Sequence, residues 1–269
     1  MLTVDKLKAK KDIRGLISAL NSRNSTVRGD AAKAISSLAK KRIFDSAAIS
    51  PLIGSLSDRH PHVRKNAAFA LGDLAECNVI DQNAILPLVK LLSDRDENVR
   101  WSAAFALRIM ARKGIFIKNG VQSFEELLFD AYKRVRYNAA IAIGYLAQHS
   151  HYEKSTLFQL ISLLSDRNGI VRANSAFALG CLAKVGVFDI ASVKPLINLL
   201  SDKNDIVRKK AAEALKELKI AGLLEINETP HITIIDSIIQ RTNFDFSNDN
   251  ENMNIHDTII QKSNIKKSE

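Results

Sequence analysis

Apolar residues along most of this chain fall at helical spacing in two runs per unit, and the whole pattern returns every 36 residues. The second run opens on a Val-Arg pair and continues through Ala-Ala, Ala-Leu and Leu-Ala, as in Val171 to Ala183. That pair recurs at Val27-Arg28, Val63-Arg64, Val99-Arg100, Val135-Arg136, Val171-Arg172 and Val207-Arg208. Two columns are Ala in every copy: Ala32, Ala68, Ala104, Ala140, Ala176 and Ala212, then Ala34, Ala70, Ala106, Ala142, Ala178 and Ala214. Leu20, Leu56, Leu92, Leu128, Leu164 and Leu200 form a third column, and Leu38, Leu74, Met110, Leu146, Leu182 and Leu218 a fourth. The first run, clearest from Ser50 to Ser57, leads into a polar turn such as Ser57-Asp58-Arg59-His60-Pro61. The pattern predicts helix, turn, helix. A unit of this length cannot bury its apolar face alone, so copies stack into a solenoid with one continuous core. The Ala columns let neighbouring second helices approach to the lower end of the roughly 8 to 10 Å interaxial range.

An Asp stands six residues before the repeated Arg in five copies, with Ser22 in the first. Asp58, Asp94, Asp130, Asp166 and Asp202 are expected to cap the second helix and to accept hydrogen bonds from Arg64, Arg100, Arg136, Arg172 and Arg208, of the same or an adjacent unit, as a structural ladder. Pro51, Pro87 and Pro195 share a column in the first helix, where Pro is expected to bend the helix without ending the unit.

The turn Asp, the Arg six residues on, and the run VRxxAAxALGxLA resemble HEAT repeats, especially the HEAT-like repeats first grouped with phycobilin lyases. The resemblance covers about residues 10 to 225 and implies an all-α, right-handed α-α superhelix of six 36-residue helix-turn-helix repeats. It implies no particular reaction. The expected layout is a HEAT-repeat solenoid over 1–225, a C-terminal capping helix over 226–242 and a disordered polar tail over 243–269. Within the second of these, Ile232, Ile235, Ile238 and Ile239 follow Pro230 at helical spacing, suited to covering the edge of the last repeat or to binding a partner.

Charge is unevenly placed. Residues 221–269 hold four basic and eight acidic residues, a balance of −4, which leaves +14 of the total +10 on residues 1–220. A basic body suits acidic proteins, nucleic acid or its own acidic tail. Cys77 and Cys181 are almost three units apart, roughly 30 Å at about 10 Å per unit, beyond the roughly 7 Å reach of a disulfide. Unpaired cysteines fit a reducing compartment. The opening MLTVDKLKAKKD lacks a signal-peptide core, and no run approaches the roughly 20 apolar residues of a membrane span, so a cytoplasmic, membrane-free monomer is expected.

On the second helix, turning 100° per residue away from the packed side gives rows that thread the stack. One holds Lys65, Trp101, Tyr137, Ala173 and Lys209; the next Lys33, Phe69, Phe105, Ile141, Phe177 and Glu213; the third Ser37, Asp73, Ile109, Tyr145, Cys181 and Glu217. By resemblance these rows line the concave groove. The middle units would place Phe69, Trp101, Phe105, Ile109, Tyr137, Ile141, Tyr145 and Phe177 toward water, rimmed by Arg108, Arg112, Asn66, Asn138 and Asn174. That makes a candidate protein-binding groove, and Trp, Tyr and Arg are the residues enriched at interface hot spots. The wheel leaves a second placement open, with the Phe column wedged between adjacent helices.

A basic edge is expected along the turns from Arg23, Arg59, Arg95, Arg167 and Lys203, with Ala131 as a gap that Lys133 and Arg134 partly refill. It would meet phosphates or an acidic partner, or simply be solvated. Chemistry is sparse. His60/His62 and His149/His151 lie in loops of different units, with none of the paired His-Glu motifs that the resemblance implies for HEAT-type di-iron hydroxylases, so no metal or other cofactor is expected. No P-loop, GxGxxG or GxSxG signature is present. The expected function is a non-catalytic scaffold that binds a protein or peptide through the groove aromatics. The alternatives are nucleic-acid binding, including a HEAT-like DNA glycosylase using Asp73 or Glu76 beside Trp101, and a phycobilin-lyase-like role carried by the resemblance alone.

Overall fold

The computed structural model describes residues 3–115 and 120–221; the capping helix and polar tail expected over 226–242 and 243–269 lie outside the described residues. A first helix, α1 (Val4–Ala9), leads into pairs of one short and one long helix: α2 (Ile13–Ala19) with α3 (Ser25–Ala39), α4 (Ile49–Ser55) with α5 (Pro61–Glu76), α6 (Ile85–Lys90) with α7 (Glu97–Arg112), α8 (Gly120–Glu125) with α9 (Lys133–Gln148), α10 (Thr156–Leu163) with α11 (Gly169–Lys184), and α12 (Val193–Leu199) with α13 (Asp205–Ile220). Consecutive long helices pack side by side, and each short helix packs on the long helix of its own pair. The result is an α-solenoid of two layers.

The repeated columns form its core. All twelve residues of the two Ala columns are buried, as are both large apolar columns. α1 was not foreseen as a separate element. Its Leu7 is buried against Gly15, so it covers the leading edge of the stack. Pro51, Pro87 and Pro195 each stand third in a short α-helix that follows a 3-10 turn. Their missing N–H groups thus fall in a first turn that has no intrahelical acceptor.

Each long helix stops in the same way. Arg42, Asn78, Gly114, Ser150 and Gly186 occupy one column and all adopt left-handed backbone, with φ between 59° and 76°. The next N–H reaches back to the carbonyl of Leu38, Leu74, Met110, Leu146 or Leu182, the long bond of a Schellman motif. Only two of the five positions carry the Gly that such backbone favours.

The Arg–Asp ladder runs between units. Arg28, Arg64, Arg100, Arg136 and Arg172 donate from Nε at 2.6 to 2.8 Å to Asp58, Asp94, Asp130, Asp166 and Asp202 of the following unit, and a second nitrogen makes each pair bidentate. Nη1 meanwhile donates to a carbonyl of the Arg's own turn, from Ser22 O to Asp202 O, with Arg208 closing the series. The Asp residues do not cap the helices, contrary to expectation. Each accepts from the N–H two residues on, at 2.7 to 2.9 Å, and so folds the turn, a task Ser22 performs in the first unit. Helix capping falls to that later residue, as Asn24, Asp96, Asn168 and Asn204. Burial works against ionised Asp58 and Asp94, yet the bonds from Arg28 and Arg64 and from the turn N–H groups outweigh it and hold both carboxyls below their usual range.

Glycines in the long helices receive the Phe column. A Cβ on Gly72 would lie 2.7 Å from Phe105 and 3.1 Å from the Cα of Ala106; one on Gly144 would lie 2.9 Å from Phe177 and 3.2 Å from the Cα of Ala178. The ring of one helix therefore seats over the bare backbone of the helix before it.

Three outcomes follow for stability. Asp94→Asn keeps the turn-folding oxygen but loses the charge, and chemical denaturation at neutral pH should show a loss of about 2 kcal/mol. Because the folded carboxyl is depressed, its contribution is full above about pH 4 and drains as pH falls through the folded value, so the gap between wild type and variant should close in acid. A gap that persisted in acid would contradict the ladder's role. Gly144→Val should cost about 1 to 3 kcal/mol by overpacking, whereas Ser150→Gly should raise stability by about 0.5 to 1 kcal/mol by relieving left-handed backbone.

Candidate protein-binding face

The stripe at the first, fifth and ninth residues after each repeated Arg lies along every long helix, and the structure divides it. Phe69, Trp101, Tyr145, Phe177 and Arg112 are partly exposed. Phe105, Ile109, Tyr137, Ile141 and Arg108 are buried, with 3 to 8% exposure, so the expectation that these five face water is corrected. For Phe105 the cause is Gly72 on the preceding helix, over which its ring drops between helices; Phe177 sits likewise over Gly144 yet stays partly exposed. The Gly stands in ALG at Gly72 and AIG at Gly144, and pairing each with the Phe of the next unit, Phe105 and Phe177, was the signal that could have shown this packing.

Two aromatic clusters result. Phe69 stacks on Phe105, with ring centres 4.6 Å apart and planes 13° apart, and leans on Trp101 at 5.4 Å. Farther along, Tyr145 meets Phe177 edge-on at 5.6 Å. Each cluster carries a cation: Lys40 lies 4.8 Å from the Phe69 ring, Arg134 4.9 Å from Trp101 and Lys210 5.6 Å from Phe177. Burial raises the Tyr137 hydroxyl's pKa.

Acidic groups on this face are engaged. Asp73, expected toward solvent, is buried; it accepts a 2.5 Å hydrogen bond from Ser36 Oγ and lies 3.8 Å from Lys40 Nζ. Glu76 pairs with Arg112. Asn66 donates to the Gly29 carbonyl of the previous helix, and Asn138 to the Arg134 carbonyl. Asn174 is fully buried, with neither amide atom hydrogen-bonded. These three amides therefore pack inside and form no rim.

Arg23, Arg59, Arg95, Arg167 and Lys203 are all exposed on successive turns, directly above the ladder. Lys133 is exposed beside the Ala131 gap, but Arg134 turns away to cover Trp101 and does not refill the row. Cys181 is buried and its thiol is pushed up to about 12, chiefly by burial, with Gln148 Nε2 3.2 Å from Sγ. Such a thiol is a poor nucleophile. Cys77 is partly exposed and also unpaired. Among the described residues no group of three or more His, Cys, Asp or Glu side chains could hold a metal ion, and no helix is long and apolar enough to cross a membrane.

Comparison with known proteins follows the same geometry. The family model for HEAT repeats matches residues 13–108, 49–144 and 157–225. No curated protein matches the chain. Among solved structures, an engineered protein is similar at 26% identity with a TM-score of 0.67, over 78% of this chain and 97% of its own. A designed armadillo repeat protein is similar at 26% identity and a TM-score of 0.64, over 77% and 99%. A computationally designed armadillo repeat protein for modular peptide recognition is similar at 25% identity and a TM-score of 0.60, over 76% and 99%. With its repeated columns, stacked helix pairs and a family match across most of its length, this chain belongs to the HEAT-repeat proteins.

Proposed function

We propose that this chain is an interaction scaffold that grips a protein or peptide on the open side of its long-helix layer, through the partly exposed aromatics centred on Trp101. The observation that carries this reading is the setting of Trp101, the only Trp in the chain. It is partly exposed, leans on Phe69 at 5.4 Å and is covered by Arg134 at 4.9 Å. An amphipathic ring already held by its neighbours loses little freedom on binding, which favours it as an anchor. The rest of the surface is equally prearranged, because each long helix is tied to the next by the ladder, so a ligand need not order the backbone. Similarity to a repeat protein designed for modular peptide recognition supports the same kind of ligand. Tyr145 and Phe177 extend the face along the stack. Two unpaired cysteines fit action in a reducing compartment.

The basic turn row is the observation that favours a second reading, nucleic-acid binding, and the two differ in salt dependence. Charge neutralisation of phosphates weakens steeply with salt, and aromatic anchoring does not. A displayed random peptide library panned on the full chain should yield binders. A synthetic binder, followed by calorimetry, should lose about 30-fold or more in affinity on Trp101→Ala. Arg59→Glu with Arg95→Glu and high salt should each change it by less than about three-fold. Binders indifferent to Trp101→Ala, or duplex DNA held tightly at low salt and released by the paired charge reversal, would overturn the scaffold reading.

A further inference from the structure

Resting on the reading of this face as a peptide-binding surface, we infer that Arg108 is its point of anion recognition and takes one carboxylate from an acidic residue of the partner.

Register shows what is unusual. Arg108 stands in the column of Ser36, Gly72, Gly144, Gly180 and Lys216; Lys216 is exposed, and Arg108 is the charge of that column that is buried. Where the neighbouring units pair Gly72 with Phe105 and Gly144 with Phe177, this one pairs Arg108 with Ile141. Arg108 is 6% exposed, and its Nε is sealed from solvent with no hydrogen-bond partner. Its guanidinium carbon lies 5.2 Å from the ring of Phe105, one turn back on the same helix. The packing of the fold does not call for a cation here, and a buried cation with an unmet donor is retained only at a cost to stability.

Nearby acids leave the Nε donor without a hydrogen bond. Glu76 is held by Arg112, and Asp73 by Ser36 and Lys40. Burial pushes the Arg108 guanidinium's pKa down, with the charge of Arg112 adding to the effect and Tyr145, Tyr137 and Glu76 opposing it. The ligand must then bring the anion. Its chemistry follows from the charges around the site: Arg112 is neutralised by Glu76 and Arg134 is spread over Trp101, so one planar cation remains among Phe105, Ile109 and Ile141. One guanidinium fork matches one carboxylate in charge and geometry. A phosphate dianion would leave net negative charge in apolar surroundings.

The test uses the full chain and a displayed random peptide library, panned in parallel on wild type, Arg108→Met, and the double variant Arg108→Gly with Ile141→Phe. The double variant restores the Gly–Phe pairing seen at Gly72 and Gly144 and should fold with at least wild-type thermal stability. Wild type should enrich peptides with Asp or Glu at one fixed position beside apolar residues, and neither variant should keep that preference. In a synthetic winner, changing that Glu to Gln should weaken binding to wild type by about 30-fold or more and to the double variant by less than about three-fold. Binders without an acidic preference, or with the same preference on the double variant, overturn the role of Arg108 and leave the scaffold reading standing. If no peptide is enriched on wild type, both fail together. Winners whose acidic residue is replaced at no loss by phosphoserine would assign the site to phosphate and overturn the carboxylate inference.

Discussion

Everything in this solenoid hangs from one guanidinium per unit. The repeated Arg spends Nη1 on the carbonyls of its own turn and the rest of its fork on the Asp of the next, so each turn is built partly by its predecessor. That single residue sets both the angle between its own two helices and the distance to the next pair. Because the fork is planar and bidentate, it fixes orientation as well as spacing. The Asp in turn folds the loop that starts the following helix, so an error in one unit is carried to its neighbour. Repeat proteins gain stability from such neighbour terms more than from any unit alone.

Close approach of the long helices is the second requirement, and it leaves little room for variation. The Ala columns are buried throughout, and at Gly72, Gly144 and Gly180 a Cβ would lie 3.1 to 3.2 Å from a Cα of the next long helix, tighter than ordinary contact. The row beside the repeated Arg varies far more, from Lys65 to Trp101 and Tyr137 within two units. The Gly–Phe pairing holds at Gly72 with Phe105 and Gly144 with Phe177, and its departures are Ser36 with Phe69, Arg108 with Ile141 and Gly180 with Glu213. At Arg108 and Ile141 a Gly–Phe pair is replaced by a buried cation and a smaller apolar residue, in the middle of the face that carries the aromatics. A buried cation at such a packing position is where function is expected to override packing.

Much of the fold was legible because six copies of one pattern amplify a weak periodic signal: the Val-Arg pairs, Ala columns and turn Asp residues each landed in a repeated structural role. Positions decided by a neighbour's surface were not. A helical wheel turns one helix at a time, so it placed Phe105 and Ile109 in water while the receiving backbone, Gly72 for Phe105, belongs to another unit. Arg42 and Ser150 gave no hint of left-handed backbone, because the residue types that favour it stand only at Asn78, Gly114 and Gly186 of that column. Arg134 read as part of a basic edge, yet the exposed ring of Trp101 offered its charge a nearer partner. The division of the candidate face into buried and exposed halves was therefore a tertiary property from the start.

The central claim is that a stack held rigid by its ladder presents the aromatic stripe as the binding surface. Photo-crosslinking tests it most directly, with a benzophenone placed at successive positions of a selected peptide and the linked residues of the full chain identified by mass spectrometry. The account predicts linkages on α5, α7, α9 and α11 near Phe69, Trp101, Tyr145 and Phe177, advancing by one helix as the benzophenone moves along the peptide. Linkages gathered instead at the turns carrying Arg59, Arg95 and Arg167, or on the short-helix layer, would contradict it.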